Sequence, residues 1–101
     1  MPDRRALVRA AWAVLGRPAA DPVFALFLEA NGLAASGRAP YRTVVPRLVE
    51  EWIVWAGELL PDDVGRRAEA EAAIALIDGL LLRQLAGPEA ADRAAGRMGL
   101  A

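Results

Sequence analysis

The chain contains no cysteine, no histidine and no lysine. The first two absences exclude disulfides, thiol nucleophiles, imidazole general bases and zinc held by Cys or His. They also leave no redox-compartment signal. Without lysine, the basic charge is twelve Arg, set against thirteen Asp plus Glu for a net charge of -1. Neither sign gathers in a block, so the basic footprint that steers a protein to nucleic acid is absent. Long apolar runs are missing too. The longest stretch without charge is eight residues, Ala30 to Gly37, whereas a membrane span needs about 20 predominantly apolar residues. Behind the opening Met1-Pro2-Asp3-Arg4-Arg5 lies a charge-free run of only seven residues, Ala10 to Gly16. With no cleavage signature after it, a cytoplasmic location and no membrane partner are expected.

What is present points to helices. Ala supplies 23 residues and Leu 14, while Val, Ile and Thr together supply 12, so propensity predicts an all-α domain. The 101 residues fit one domain. At 55% hydrophobic, against about 45–50% for an average soluble domain, the chain is expected to fold. A domain of this size buries about 60–70% of its unfolded surface, so part of the apolar surplus is expected to meet a partner or a ligand.

Proline and glycine divide the chain at Gly16-Arg17-Pro18, Gly37-Arg38-Ala39-Pro40, Pro61 and Gly87-Pro88 into five segments with helical spacing. No fixed-period repeat, low-complexity tract or long linker is visible, so residues 1–101 read as one five-helix bundle. The first segment, Asp3 to Leu15, sets Leu7, Ala10, Ala11, Val14 and Leu15 on one broad face, and Gly16 suits its end. The second opens on Asp21-Pro22, read as an N-cap acceptor followed by proline at the first helical position, and closes at Gly37. In the third, Val45, Val49, Trp52, Ala56 and Leu59 recur at spacings of three and four, with Arg47 and Glu51 paired four apart. Its start lies either near Pro46 or, as favoured here, near Pro40 with Pro46 inside. The fourth runs from about Asp62 to Leu85, with Asp62-Asp63 read as its acidic N-cap. Its second half is apolar nearly all round and predicts cover from another molecule. Gly79, beside Ala72 and Ala75, fits close approach of a second helix. The last segment, Pro88 to about Met98, carries a thin stripe of Ala91, Ala94, Ala95 and Met98.

The run Ala72-Ala73-Ile74-Ala75-Leu76-Ile77-Asp78-Gly79-Leu80-Leu81-Leu82, the Gly87-Pro88-Glu89 break and the Ala-rich end form one recognisable stretch. A second is Phe24-Ala25-Leu26-Phe27-Leu28-Glu29-Ala30-Asn31-Gly32-Leu33-Ala34 followed by Leu48-Val49-Glu50-Glu51-Trp52. Together they resemble the C-terminal effector-binding and dimerisation domain of TetR-family transcriptional regulators. The resemblance covers nearly the whole length. It implies a homodimer built on the last two helices and a small apolar effector bound among the others. The family's helix-turn-helix domain has no counterpart ahead of Asp3, and Arg4, Arg5 and Arg9 have no partner helix before them. DNA would thus be met only through a missing N-terminal domain. The chain reads as a piece of a regulator, a gene product with a misassigned start, or a truncated relative that only binds ligand and dimerises.

The candidate ligand-binding residues are Phe24, Phe27, Leu28, Asn31, Trp52 and Trp55. Pockets are lined mainly by apolar and aromatic side chains with a few placed polar groups. Phe24, Phe27, Leu28 and Asn31 fall at i, i+3, i+4 and i+7, which makes Asn31 the preferred polar anchor. The competing reading is core packing for the aromatics, Trp12 included, and a surface or helix-bending role for Asn31-Gly32. Of the two tryptophans on the third helix, Trp52 is expected to be the buried one. The candidate dimer-interface residues are Ala72, Leu76, Gly79, Leu80, Arg83, Ala91 and Ala95. Asp78 interrupts the apolar run; buried, it would need a cationic partner such as Arg42 or Arg47. Functionally it could bind a cationic ligand, but it is read instead as a solvated or interface hydrogen-bonding group and is not carried as a ligand contact. No cofactor is expected. No enzyme is expected either, because adjacent Glu50-Glu51 and Asp62-Asp63 point about 100° apart on a helix and form no catalytic pair. The alternative to an effector-binding domain is a structural helical dimerisation module without a pocket.

Overall fold

The computed structural model describes residues 1–100 and is all-α: five α-helices, one short 3-10 turn and no strand among those residues. Helix α1 (Arg4–Leu15) starts where the Asp3 carboxylate accepts the Ala6 amide at 2.8 Å, the side-chain capping that unsatisfied first-turn amides favour. It ends at Gly16, whose amide donates to the Trp12 carbonyl. A Cβ at Gly16 would stand 2.8 Å from the Trp12 ring and 2.9 Å from its carbonyl oxygen, so the large indole requires glycine here. A 3-10 turn, Pro18–Ala20, leads into α2 (Asp21–Ala35). Asp21 does not cap α2; it already has helical dihedrals, and the turn's own hydrogen bonds deliver the chain into the helix.

The end of α2 is a Schellman motif: Gly37, at φ +81°, donates to Ala34, and Arg38 donates to Leu33. Helix α3 (Tyr41–Glu58) begins after Pro40 and runs through Pro46, the longer of the two starts considered. The proline ring lies on the exposed side while its neighbour Val45 is buried, so tertiary packing outweighs one missing backbone bond. Helix α4 (Arg66–Ala86) begins four residues later than the acidic pair indicated. Asp63 accepts the Gly65 amide at 2.8 Å and Asp62 lies 3.5 Å from Arg66. The pair therefore builds the turn ahead of the helix rather than capping it. Helix α5 (Pro88–Arg97) places Pro88 at its first position, as the sequence predicted.

Helix α4 is the centre of the molecule. Helices α1, α3 and α5 pack on it, α2 packs chiefly on α3, and α1 and α2 are not a major packing pair. The core joins Leu7, Val8 and Trp12 of α1 to Ala56, Ala70, Ala73, Ile77, Leu80, Leu81, Ala91 and Ala95, with Leu100 folded back beneath them. Val8, outside the broad face expected of α1, is fully buried, whereas Val14 of that face is 61% exposed. A helix this rich in alanine leaves its buried side ambiguous, and Trp12 decides it by size. The one buried polar side chain, Gln84, donates to the Gly16 carbonyl at 2.9 Å and ties α4 to the end of α1. On the surface, Glu50 and Arg67 form a two-point ion pair at 2.5 and 2.7 Å between α3 and α4. The Arg47–Glu51 pair expected along α3 is not among the ion pairs formed. Arg9 reaches the Gly99 carbonyl at 2.6 Å and holds the final turn.

No single helix is long and apolar enough to cross a membrane; α1 and the Pro18–Ala35 stretch reach that length only as a pair bent by 82°. The radius of gyration is 14.0 Å, against about 13 Å for a compact chain of 100 residues. The Cα envelope is only 19 Å through its thin dimension, a slab whose outer faces are incompletely covered. Replacing Gly16 by Ala forces a shift of Trp12 or of the helix end. This change should destabilise the fold by about 1–3 kcal/mol and lower the melting temperature in circular dichroism by at least about 4 °C.

Candidate functional site

Where α1 and α2 diverge over α3 and α4, a cavity of about 690 Å³ remains, within the roughly 300–1,000 Å³ of small-molecule sites. The α1 wall is Leu7, Ala10, Ala11, Val14 and Leu15, the very face that the spacing of α1 had marked as apolar. Phe24 closes one side from α2, and Trp52, Trp55 and Ala56 stand on α3, with Leu59 just beyond it. Ile74, Ile77 and Asp78 form the α4 wall, and Met1 reaches the cavity from the amino terminus, its nitrogen donating to the Leu59 carbonyl at 2.6 Å. Three alanines among the walls explain the space: helix backbones approach, but the side chains between them are too small to fill the gap.

Of the six residues predicted to bind ligand, Phe24, Trp52 and Trp55 line this cavity. Trp52 is half-buried and Trp55 is 58% exposed, the order expected for the two rings. Phe27, Leu28 and Asn31 are not among the lining residues. Phe27 lies behind Trp52 with ring centroids 4.7 Å apart and planes tilted by 47°, a favourable aromatic geometry that braces the Trp52 ring. Leu28 is half-buried. Asn31 donates to the Phe27 carbonyl one turn back at 2.8 Å, which turns its amide toward its own helix and away from this cavity. Helical spacing placed the four α2 residues on one side. That side is wide enough for Phe24 to face the cavity while the others face elsewhere.

The polar side chain at the cavity is Asp78, which shares it with the Met1 ammonium. It is half-buried, and no ion pair or hydrogen bond to its carboxylate is formed; neither Arg42 nor Arg47 meets it. Burial among apolar walls pushes its carboxyl up from the ordinary 3.8 to about 6. Asp78 thus remains partly solvated while it lines the cavity, a placement that its reading as no ligand contact did not give it. The signal was in the sequence: Ile74, Ile77 and Asp78 stand at i, i+3 and i+4 and share one helical side. By contrast, Glu50 is held below the usual carboxylate range by its hydrogen bonds from Arg67 and lies away from the cavity.

The residues predicted at a dimer interface divide in the same way. Leu80 is 3% exposed, and Ala91 and Ala95 are fully buried. They pack α4 against α5 and the core within one chain, so they are core residues. Ala72 and Leu76 are half-buried, and Gly79 and Arg83 are exposed. No atom lies within 4 Å of a Cβ built on Gly79, so no helix of the same chain approaches it. Among the described residues no cluster of Asp and Glu is placed to hold a metal ion. No family model, curated protein or solved structure matches the chain.

Since the folded state raises the Asp78 carboxyl to about 6, the folded chain retains this proton at pH values where the unfolded chain has released it. The contribution is fully present below about pH 4 and is lost as pH rises through about 6. Asp78→Asn should therefore stabilise the protein near neutral pH by on the order of 1 kcal/mol, discounted for partial solvation. In thermal unfolding the difference from wild type should shrink towards zero as pH falls to about 4.

Proposed function

We propose that the chain is the effector-binding and homodimerisation domain of a TetR-like transcriptional regulator, sensing a small, largely apolar ligand. The observation that carries the reading is the cavity, whose walls come from four helices and whose residues include Phe24, Trp52 and Trp55. A half-open apolar groove of that size, lined by three large aromatics, supports a ligand site over a purely structural module. The five-helix order and the central α4 support the resemblance. A DNA-reading domain would lie outside these residues and would respond to occupancy only through the ligand's difference in affinity between two states.

Association is supported by the outward side of α4. Ala68, Ala72, Ala75, Gly79 and Leu82 follow one another at spacings of four and three, and each is at least partly exposed, Leu82 to 48%. An apolar side of this kind fits the same helix of a second copy, where the missing Cβ of Gly79 allows close approach.

A thermal-shift screen with apolar and aromatic compounds should find ligands that raise the melting temperature in proportion to ln(1 + [L]/Kd). Ala10→Trp, which places an indole at the cavity from an exposed backbone position, should abolish the shift while leaving the ligand-free fold intact. A broad library without any shift would refute the receptor reading.

Sedimentation equilibrium should give a species near twice 10.7 kDa. Leu82→Arg should weaken association at least thirtyfold, about the 2 kcal/mol of a central interface contact, with helicity unchanged. Leu80→Arg should instead unfold the chain, since its side chain lies in the core. A wild type that stays monomeric at high concentration would refute the interface.

A further inference from the structure

Among the residues lining the cavity, Asp78 has the only charged side chain; the Met1 ammonium also reaches the cavity but is engaged by the Leu59 carbonyl at 2.6 Å and forms no ion pair with Asp78. Among the described residues no arginine forms an ion pair with Asp78; the ion pairs formed are Arg4 with Glu69, Arg66 with Asp62, and Arg67 with Glu50 and Glu71. Arg9 is engaged by the Gly99 carbonyl and Arg17 by the Ala13 carbonyl. An unpaired carboxylate beside apolar walls is costly, and a site keeps the charge at lower cost when a counter-charge arrives with the ligand. The same walls include Phe24, Trp52 and Trp55, and aromatic rings can attract cations.

We propose that the cavity takes an amphiphilic cation, its ammonium group seated on the Asp78 carboxylate and its hydrocarbon against Trp52, Trp55 and the α1 wall. This rests on the cavity being a ligand site, as proposed above, and it names the chemical class that site selects. Most of the surface offered is apolar and supplies affinity, whereas the single carboxylate supplies the choice of charge. An anionic ligand of the same length meets an uncompensated negative group and is rejected. A neutral alcohol keeps the apolar contacts and loses the charge pairing. The position of Asp78 near neutrality reinforces the point, because a bound ammonium favours its ionised form.

The test compares three ligands that share one hydrocarbon chain, decylamine, 1-decanol and decanoate, titrated into the full chain at about pH 7.5, where the amine is charged. Binding is read by tryptophan fluorescence and calorimetry. The amine should bind roughly tenfold more tightly than the alcohol, the scale of one charge-assisted hydrogen bond, and decanoate most weakly. In Asp78→Asn the amine should fall to the affinity of the alcohol, while the alcohol itself binds as before. Equal binding of amine and alcohol by the wild type would overturn the cation assignment and leave an apolar ligand site standing. So would an amine preference that survives in Asp78→Asn. Failure of all three to bind would remove the ligand site itself and the proposal with it. The wild-type ratio decides the matter even if the variant folds poorly.

Discussion

The structure depends on burying one side of α4. Ala70 and Ala73 are fully enclosed, and Ile74, Ile77, Leu80, Leu81 and Gln84 continue the buried side along the helix. No other helix touches so many partners: α1 and α3 flank it and α5 closes its far end. The Gln84 amide, satisfied by the Gly16 carbonyl, fixes the rotation and axial position of α4 against α1, because a buried donor without an acceptor would cost about 1–3 kcal/mol. Trp12 and Gly16 form the other half of that junction, the ring occupying the space a Cβ would need.

The composition of this core has a further consequence. Among the side chains less than 2% exposed, the largest is Val8, and the other enclosed contacts are mainly alanine. Alanine lets helix backbones come close but contributes little volume, so the core is a set of tight contacts along α4 rather than a continuous filling. Where α1 and α2 part over α4, the gap stays open, and the large aromatics of α3 border it instead of filling it. Packing of Phe27 on Trp52 keeps one of these rings upright at the cavity wall. With a net stability of about 5–15 kcal/mol typical of domains, surface left uncovered in this way makes any ligand or second copy that covers it a sizeable contributor to stability.

Much of the architecture is legible in the sequence because proline and glycine have specific backbone effects. The α2 end at Gly37 and the proline starts of α5 and the 3-10 turn follow from them, whereas α3 runs through Pro46 against the proline's own preference. Faces were harder to read. In α1, apolar residues occupy most of the circumference, so spacing marked the cavity wall and missed Val8, and only the bulk of Trp12 separates the two sides. In α4, period alone does not tell a neighbour in the same chain from one in another molecule. The same pattern therefore points Leu80, Ala91 and Ala95 to an interface, whereas their burial between α4 and α5 places them in the core of one chain. Asp21 and Asp62-Asp63 look like caps because carboxylates favour helix starts, yet a preceding 3-10 turn and an Asx turn at Gly65 took over that work. Asn31 illustrates competition of the same kind, its side chain satisfied by its own backbone one turn earlier.

Asp78 and Gly79 are neighbours on α4, about 100° apart around its axis, yet the first lines the cavity and the second belongs to the exposed small-residue side. One helix thus separates the proposed ligand from the proposed second copy, with no intervening layer. Any change in the position of α4 that a ligand favours is therefore presented directly to the outer face. Linkage sets the terms: a ligand strengthens or weakens association only by the difference in its affinity for the free and associated chain, and association alters ligand affinity by the same factor. The Gln84 hydrogen bond to Gly16 fixes α4 against α1, while the side of α4 at the cavity is left without a packed neighbour. The direction in which this fold can respond is set by where its core is tight and where it is empty.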